Sequence, residues 1–198
     1  MSEARVQSTS EAEAATLRTR RFTVAEYHLM LDAGVLHEDD RVELLEGAIV
    51  EMSPQGEKHM RVITRLTRAF ARQLGDEFQV RPQGPLTLGD SEPEPDLAIV
   101  RSEDAVSAEE HPRRAVLAVE VATSSLVPDR TVKSRIYARA GILEYWLVDV
   151  GGRCVEIRRG PDQDTARYRS VETLKAPGAL TSPPALTGFS FQVADLFD

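Results

Sequence analysis

Cysteine occurs once in this chain of 198 residues, at Cys154, and that scarcity removes two kinds of site at the outset. An internal disulfide needs a pair and a multi-cysteine zinc site needs several, so a reducing cytosol is the natural compartment. Lysine is almost as scarce, confined to Lys58, Lys133 and Lys175. Positive charge as a whole is in deficit: the net charge of -8 and a pI near 5.1 argue against a protein that coats nucleic acid without specificity. A local basic face, and hence a nuclease, remains compatible with that balance. Long apolar runs are missing too. Nothing approaches the roughly 18 residues of a membrane span, and the polar N-terminus lacks the apolar core of a secretory signal. The expectation is a cytoplasmic protein without membrane contact.

What is present supports one sizeable core, since 41% of the residues are hydrophobic. Residues 1–20 are rich in Ser, Glu, Ala and Thr with little to bury, and read as a flexible tail; residues 21–198 read as a single domain. Thr23 with Glu26 forms a capping-box pattern ahead of Val24, Tyr27 and Leu31, with Gly34 just beyond, which predicts a short helix. Arg41 to Met52 predicts a hairpin turning at Glu46-Gly47, with Glu43 and Glu51 on its arms. From Glu57 to Leu74, Ile63, Leu66, Phe70 and Leu74 recur at helical spacing, and Arg61, Arg65, Arg68 and Arg72 form a second stripe on another face. That stripe is either a solvated face or a phosphate-contacting surface. Short strands are expected at Phe78 to Arg81 and Leu86 to Leu88, then at Leu97 to Val100 behind Asp96. Further strands are expected at Glu144 to Val150, Cys154 to Arg158 and Tyr168 to Leu174, with Phe189, Phe191, Leu196 and Phe197 packing a C-terminal segment.

The stretch that asks most of its surroundings is Ala115 to Ala122, a Val-rich apolar run with the carboxylate of Glu120 inside it. Such a run reads as a central strand covered on both faces, where an ionised Glu is costly unless something positive meets it. A structural salt bridge with an arginine satisfies that demand, and so does a bound cation. Asp96 stands at the head of the preceding strand, and Lys133 lies on the predicted helix from Asp129 to Ala140, in register with Asp129 and Tyr137. Two carboxylates brought together repel unless a divalent cation sits between them, and oxygen ligands alone favour Mg²⁺ or Mn²⁺. An ion of that kind polarises a phosphoryl oxygen and activates water, and a nearby lysine orients the water or neutralises developing charge. Asp96, Glu120 and Lys133 are therefore candidate catalytic residues. Glu43 either completes the acidic shell or is a solvated strand residue. His59 either approaches the site or a phosphate, or serves only the helix N-terminus. Tyr137, Tyr145 and Trp146 read as core, and Arg130, Arg135 and Arg139 as either a basic rim or solvated surface.

Pro95-Asp96, followed 24 residues after the aspartate by Glu120, resembles the PD-(D/E)XK nuclease signature. The finer pattern is similar to the Uma family of putative restriction endonucleases. It comprises Glu43-Leu44-Leu45-Glu46-Gly47, His59, Pro95-Asp96, Val119-Glu120-Val121, Asp129 through Lys133 to Tyr137, Gly141, and Glu144-Tyr145-Trp146-Leu147-Val148-Asp149. The resemblance covers roughly Arg21 to Arg159 and fades toward the C-terminus. It implies an α/β, restriction-endonuclease-like fold with a mixed central sheet flanked by helices. It also implies metal ligation by Asp96 and Glu120 with the main-chain carbonyl of Val121 as a third ligand. DNA is the implied substrate, with RNA as an alternative, and a homodimer suits an enzyme that cuts two strands. The superfamily lysine falls two residues after the glutamate, where this chain has Ala122; Lys133 matches a variant in which the lysine has moved to the next helix. The competing reading is a non-catalytic nucleic-acid-binding or interaction module that keeps the fold without cleavage.

Overall fold

The structure, a computed structural model, describes residues 19–105, 110–181, 186 and 188–198. Most of the expected N-terminal tail, residues 1–18, lies outside the described residues. The chain enters through helix α1 (Val24–Asp32), whose capping box is formed as expected by Thr23 and Glu26. Tyr27 anchors α1 by donating its hydroxyl proton to the carbonyl of Val42 at 3.0 Å. After a 3-10 turn (Glu38–Asp40), β1 (Val42–Leu45) and β2 (Ala48–Glu51) form the antiparallel hairpin. Glu46 and Gly47 both take positive φ, 49° and 76°, the signature of a type I′ turn. A side chain on Gly47 would meet Arg21 Cβ at 2.9 Å, so glycine serves packing there as well as backbone geometry.

Helix α2 (Glu57–Gln73) follows the predicted period, burying Val62, Ile63, Leu66, Ala69 and Phe70 against the main sheet. It stops at Leu74 in extended backbone, without the left-handed cap that Gly75 suggests. The sheet has six strands in the order β3-β4-β5-β6-β7-β8. These are β3 (Phe78–Pro82), β4 (Leu97–Arg101), β5 (Leu117–Ala122), β6 (Glu144–Asp149), β7 (Cys154–Asp162) and β8 (Arg167–Leu174). Only β5 and β6 run parallel; every other neighbouring pair is antiparallel, so the sheet is mixed as expected. The connection from β5 to β6 is helix α3, made of a first turn (Leu126–Pro128), a π-helical stretch (Asp129–Lys133) and an α-helical end (Ser134–Arg139). A small C-terminal unit, β9 (Ala179–Thr181), β10 (Ser190–Gln192) and α4 (Ala194–Phe197), closes the α2 side.

Leu86 to Leu88 is not a strand of the sheet, which corrects the sequence expectation. Leu88 exchanges both bonds with Ser91 in one isolated bridge, but the Leu86 and Thr87 amides donate to the carbonyls of Pro93 and Pro112, and proline has no amide to return the bond, so the pairing extends no further. No described helix is long and apolar enough to cross a membrane.

β5 is the central strand, buried at every residue from Leu117 to Ala122. Its side chains alternate between two cores. Leu117, Val119 and Val121 pack on the α2 side with Phe70, Trp146 and Phe189, whereas Ala118 and Ala122 face the α3 side with Ile136, Tyr137 and Tyr145. The alternation places Glu120 with the alanines, beneath α3.

Candidate active site

The acids meet because of strand register. Leu97 of β4 stands opposite Val119 of β5, so Asp96, one step before Leu97, falls beside Glu120 and Val121. Asp96 Oδ2 accepts the Val121 amide proton at 2.7 Å and contacts His59 Nε2 at 3.0 Å. His59 lies in the first turns of α2 and is buried, and its Nδ1 has no hydrogen-bond partner among the described residues. That pattern fits a tautomer that donates from Nε2 to Asp96 and leaves Nδ1 without a proton.

Glu120, 3% exposed, is met from above by α3. Lys133 Nζ donates to Glu120 Oε1 at 3.1 Å and Tyr137 donates its hydroxyl proton to the same oxygen at 2.6 Å. Lys133 Nζ also lies 3.1 Å from Glu43 Oε2, which accepts the Glu94 amide proton at 3.2 Å. The hairpin, β5 and α3 thus converge on one ammonium. The π-helical stretch carries both Asp129 and Lys133 inward and buries them, and such widened turns recur at functional sites. Asp129 is held in place by the Ser125 hydroxyl through its carboxylate and by the Tyr145 hydroxyl through its carbonyl.

The electrostatics follow from three acids, Glu120, Glu43 and Asp129, acting on one lysine. Burial raises Glu120 well above the ordinary carboxylate range, with Lys133 pulling the other way and Asp129, Asp96 and Glu43 adding to the rise. Burial likewise raises Asp129 to about 6, against the pull of Lys133. Desolvation alone would lower Lys133, but Glu120, Glu43 and Asp129 outweigh it and hold the ammonium above its usual value. Glu94 is raised by burial and by Glu43. Burial leads the rise of the acids and their mutual repulsion adds to it, while the same negative charge holds the proton on Lys133.

The fit of a divalent ion can be judged from the carboxylate oxygens. Asp96 uses Oδ2 for both of its contacts, Glu120 uses Oε1 for both, and Glu43 uses Oε2 for both. Among the described residues no hydrogen bond reaches the second oxygen of any of the three, and none of those oxygens is a sealed orphan. Glu43, Asp96 and Glu120 do not bring one oxygen each within 4.8 Å of one another among the described residues, so an oxygen-liganded ion here would rest on fewer than three of these carboxylates, with water completing its shell.

The arginine stripe lies apart from this cluster. Arg65 donates to the carbonyls of Asp195 and Asp198, and Arg61 lies 3.8 Å from Glu57. Arg68 and Arg72 line an open groove with Phe191 and Asp195, and neither makes an ion pair or side-chain hydrogen bond among the described residues. Arg130, Arg135 and Arg139, read from sequence as either a basic rim or solvated surface, are largely ion-paired: Arg130 pairs with Glu156, and both Arg135 and Arg139 pair with Glu46. Tyr137 is core, as the sequence indicates, yet its hydroxyl also fixes Glu120, a role that periodicity does not reveal.

A mixed six-stranded central sheet flanked by helices is an α/β, restriction-endonuclease-like architecture. The chain belongs to the Uma2 family, described as putative restriction endonucleases, whose model matches residues 24–194. It is also similar in fold to a crystal structure of a putative nuclease belonging to DUF820 from Anabaena variabilis. That comparison has a TM-score of 0.68 and 16% identity, and covers 84% of this chain and 94% of the other. No curated protein matches the chain.

Proposed function

We propose that this protein is a divalent-metal-dependent endonuclease that hydrolyses DNA phosphodiester bonds. The observation that carries the reading is the set Glu43, Asp96 and Glu120, three buried carboxylates that each commit one oxygen to the protein, with Lys133 bridging Glu43 and Glu120. Asp96, Glu120 and the main-chain carbonyl of Val121 would hold Mg²⁺ or Mn²⁺, with Glu43 completing the acidic shell. Such an ion supplies Lewis-acid polarisation of a phosphoryl oxygen and eases deprotonation of a water. The Val121 amide and His59 fix the rotation of Asp96, and Tyr137 fixes that of Glu120. Lys133 keeps its proton and donates it as a hydrogen bond to the attacking water or to the charge building on phosphorus oxygens. It reaches Glu120 from α3, and Ala122, buried on the same face of β5, has no long side chain to compete for that carboxylate. Arg68 and Arg72 supply contacts to backbone phosphate.

The test is cleavage of duplex DNA, single-stranded DNA and RNA by the purified chain with Mg²⁺ or Mn²⁺ against chelator. Cleavage should require the ion and fall by about 10³-fold or more in Glu120→Gln. A folded protein that cuts none of these polymers, with Glu120→Gln altering stability alone, overturns the proposal.

A second reading is an inactive nuclease-fold module that binds nucleic acid or another partner. The 3.1 Å contacts of Lys133 to both Glu43 and Glu120 favour it, because the ammonium already stands where it neutralises part of the cluster. Calorimetric titration with Mn²⁺ separates the two. Binding that disappears in Glu120→Gln supports the enzyme, and absence of binding in a chain that still retains DNA supports the module.

A further inference from the structure

The chain has four histidines, and two of them meet a buried glutamate away from the acid cluster. His28 comes from α1, Glu92 from the loop before β4, and His111 from the connection before β5. One ligand atom from each lies within 4.8 Å of the other two. His28 Nε2 is 2.7 Å from Glu92 Oε1, and the His28 and His111 rings stand nearly perpendicular, with centroids 6.2 Å apart. Glu92 is 4% exposed while both histidines are half-buried, so the triple opens to solvent on one side.

Each member is tied in place by its neighbours. The Glu92 backbone exchanges both hydrogen bonds with Leu44 of β1, and Glu92 Oε2 accepts the Thr87 hydroxyl proton at 2.7 Å. The Thr87 amide in turn donates to the carbonyl of Pro112, which fixes the residue after His111. Tyr27, the residue before His28, is anchored by its hydroxyl to the carbonyl of Val42. Three segments far apart in sequence are therefore pinned to one another around two imidazoles and a carboxylate. The hydroxyl on the outer carboxylate oxygen is the kind of support that orients a metal ligand.

We propose that His28, Glu92 and His111 form a zinc-binding site, distinct from the acid cluster, that staples α1 and the segment before β5 onto the loop beside β1. Two nitrogens and one carboxylate oxygen with one open position are a borderline-soft donor set that suits Zn²⁺ and neighbouring late transition ions over Mg²⁺. Bonds of about 2.0–2.2 Å place tetrahedral ligand atoms roughly 3.4 Å apart. The three ligand atoms already lie within 4.8 Å of one another, and both imidazoles are half-buried. The site needs no catalysis at Asp96 or Glu120, and its failure leaves the nuclease reading standing.

The experiment is Zn²⁺ titration of the metal-stripped full chain by calorimetry, with Co²⁺ absorption as a report of nitrogen ligation and thermal melts beside it. The variants are His28→Ala, His111→Ala and Glu120→Gln; the two half-buried histidines are chosen so that folding survives, and circular dichroism verifies it. The expected result is one Zn²⁺ bound with a rise in melting temperature, retained in Glu120→Gln. Each histidine variant should weaken binding beyond the roughly 10–100-fold cost of losing a supporting residue. No Zn²⁺ binding by the wild-type chain overturns the proposal. So does binding that is unchanged in His111→Ala and lost in Glu120→Gln, which would assign the ion to the acid cluster.

Discussion

The two faces of β5 show how one strand can carry a closed core and an open site. On the α2 face, Leu117, Val119 and Val121 meet Phe70, Trp146 and Phe189, with the rings of Phe70 and Phe189 stacked 4.0 Å apart. Large shapes fill that side, and its cohesion is apolar. On the α3 face, Ala118 and Ala122 flank Glu120, and the volume that alanine leaves is taken up by Tyr137, Tyr145 and the long stem of Lys133. Small neighbours are what let a lysine from the next helix lie over a strand carboxylate. The α2 face keeps the strand in position, while the α3 face stores unbalanced charge there.

The largest expected effects set the two faces against each other. Phe70→Ala should cost about 3–5 kcal/mol through the cavity it leaves. Lys133→Met should cost a similar amount at pH 8, about 3–5 kcal/mol, by leaving buried carboxylates without their counter-charge. The distinction lies in pH. Since Glu120 takes up a proton more readily than an ordinary carboxylate, the Lys133→Met loss should shrink as pH falls to 5, and that of Phe70→Ala should not. Denaturant unfolding at both pH values measures this, and a Lys133→Met loss that ignores pH breaks the contrast. Adding Glu120→Gln to Lys133→Met should recover much of the loss.

Asp129 gives a prediction of similar sign and somewhat smaller size. Its folded pKa of about 6 exceeds its unfolded value, so between roughly pH 4 and pH 6 the folded chain binds more protons than the unfolded one. Stability from this group is therefore full below about pH 4 and falls as pH rises through 6. The change is at most on the order of 3 kcal/mol. Asp129→Asn keeps an acceptor for Ser125, so it should remove that slope and be more stable than wild type at pH 8. Tyr137→Phe is next in size. It takes away one donor to Glu120 and should cost about 1.5–3 kcal/mol without disturbing the rest of the α3 face. Thermal melts of the two variants across pH 4 to 8 check both.

Much of this contrast is written locally in the chain. The period of Ile63, Leu66 and Phe70 marks the buried side of α2, the Glu46-Gly47 pair marks the hairpin turn, and Glu120 in an apolar run marks a strand residue in need of a partner. Asp96 and Lys133 are recognisable because they sit on the elements adjoining β5 in sequence. What stays hidden depends on how distant segments pair. Leu86 to Leu88 looks like a strand, and only the facing Pro93 and Pro112 prevent a ladder. Arg135 and Arg139 look like free surface charge until the hairpin, some 90 residues earlier, presents Glu46. Tyr137 carries the same ambiguity inward, since an amphipathic ring reads as core whether or not its hydroxyl has work.

The smallest effects belong to the outer face of α2, and they separate structure from substrate contact along a single stripe. Arg65 ties the last residues of the chain through the carbonyls of Asp195 and Asp198, so Arg65→Ala should loosen α4 and lower the melting temperature slightly. Arg68 and Arg72 make no comparable bond among the described residues, so Arg68→Ala and Arg72→Ala should melt like wild type. If these two touch backbone phosphate, each removal should weaken DNA binding about equally for every sequence and reduce the slope of log affinity against log salt by about 1. Fluorescence anisotropy over a salt series measures the slope. A slope unchanged in both variants would leave the stripe as a solvated face and move the search for the DNA track to the open side of Glu43, Asp96 and Glu120.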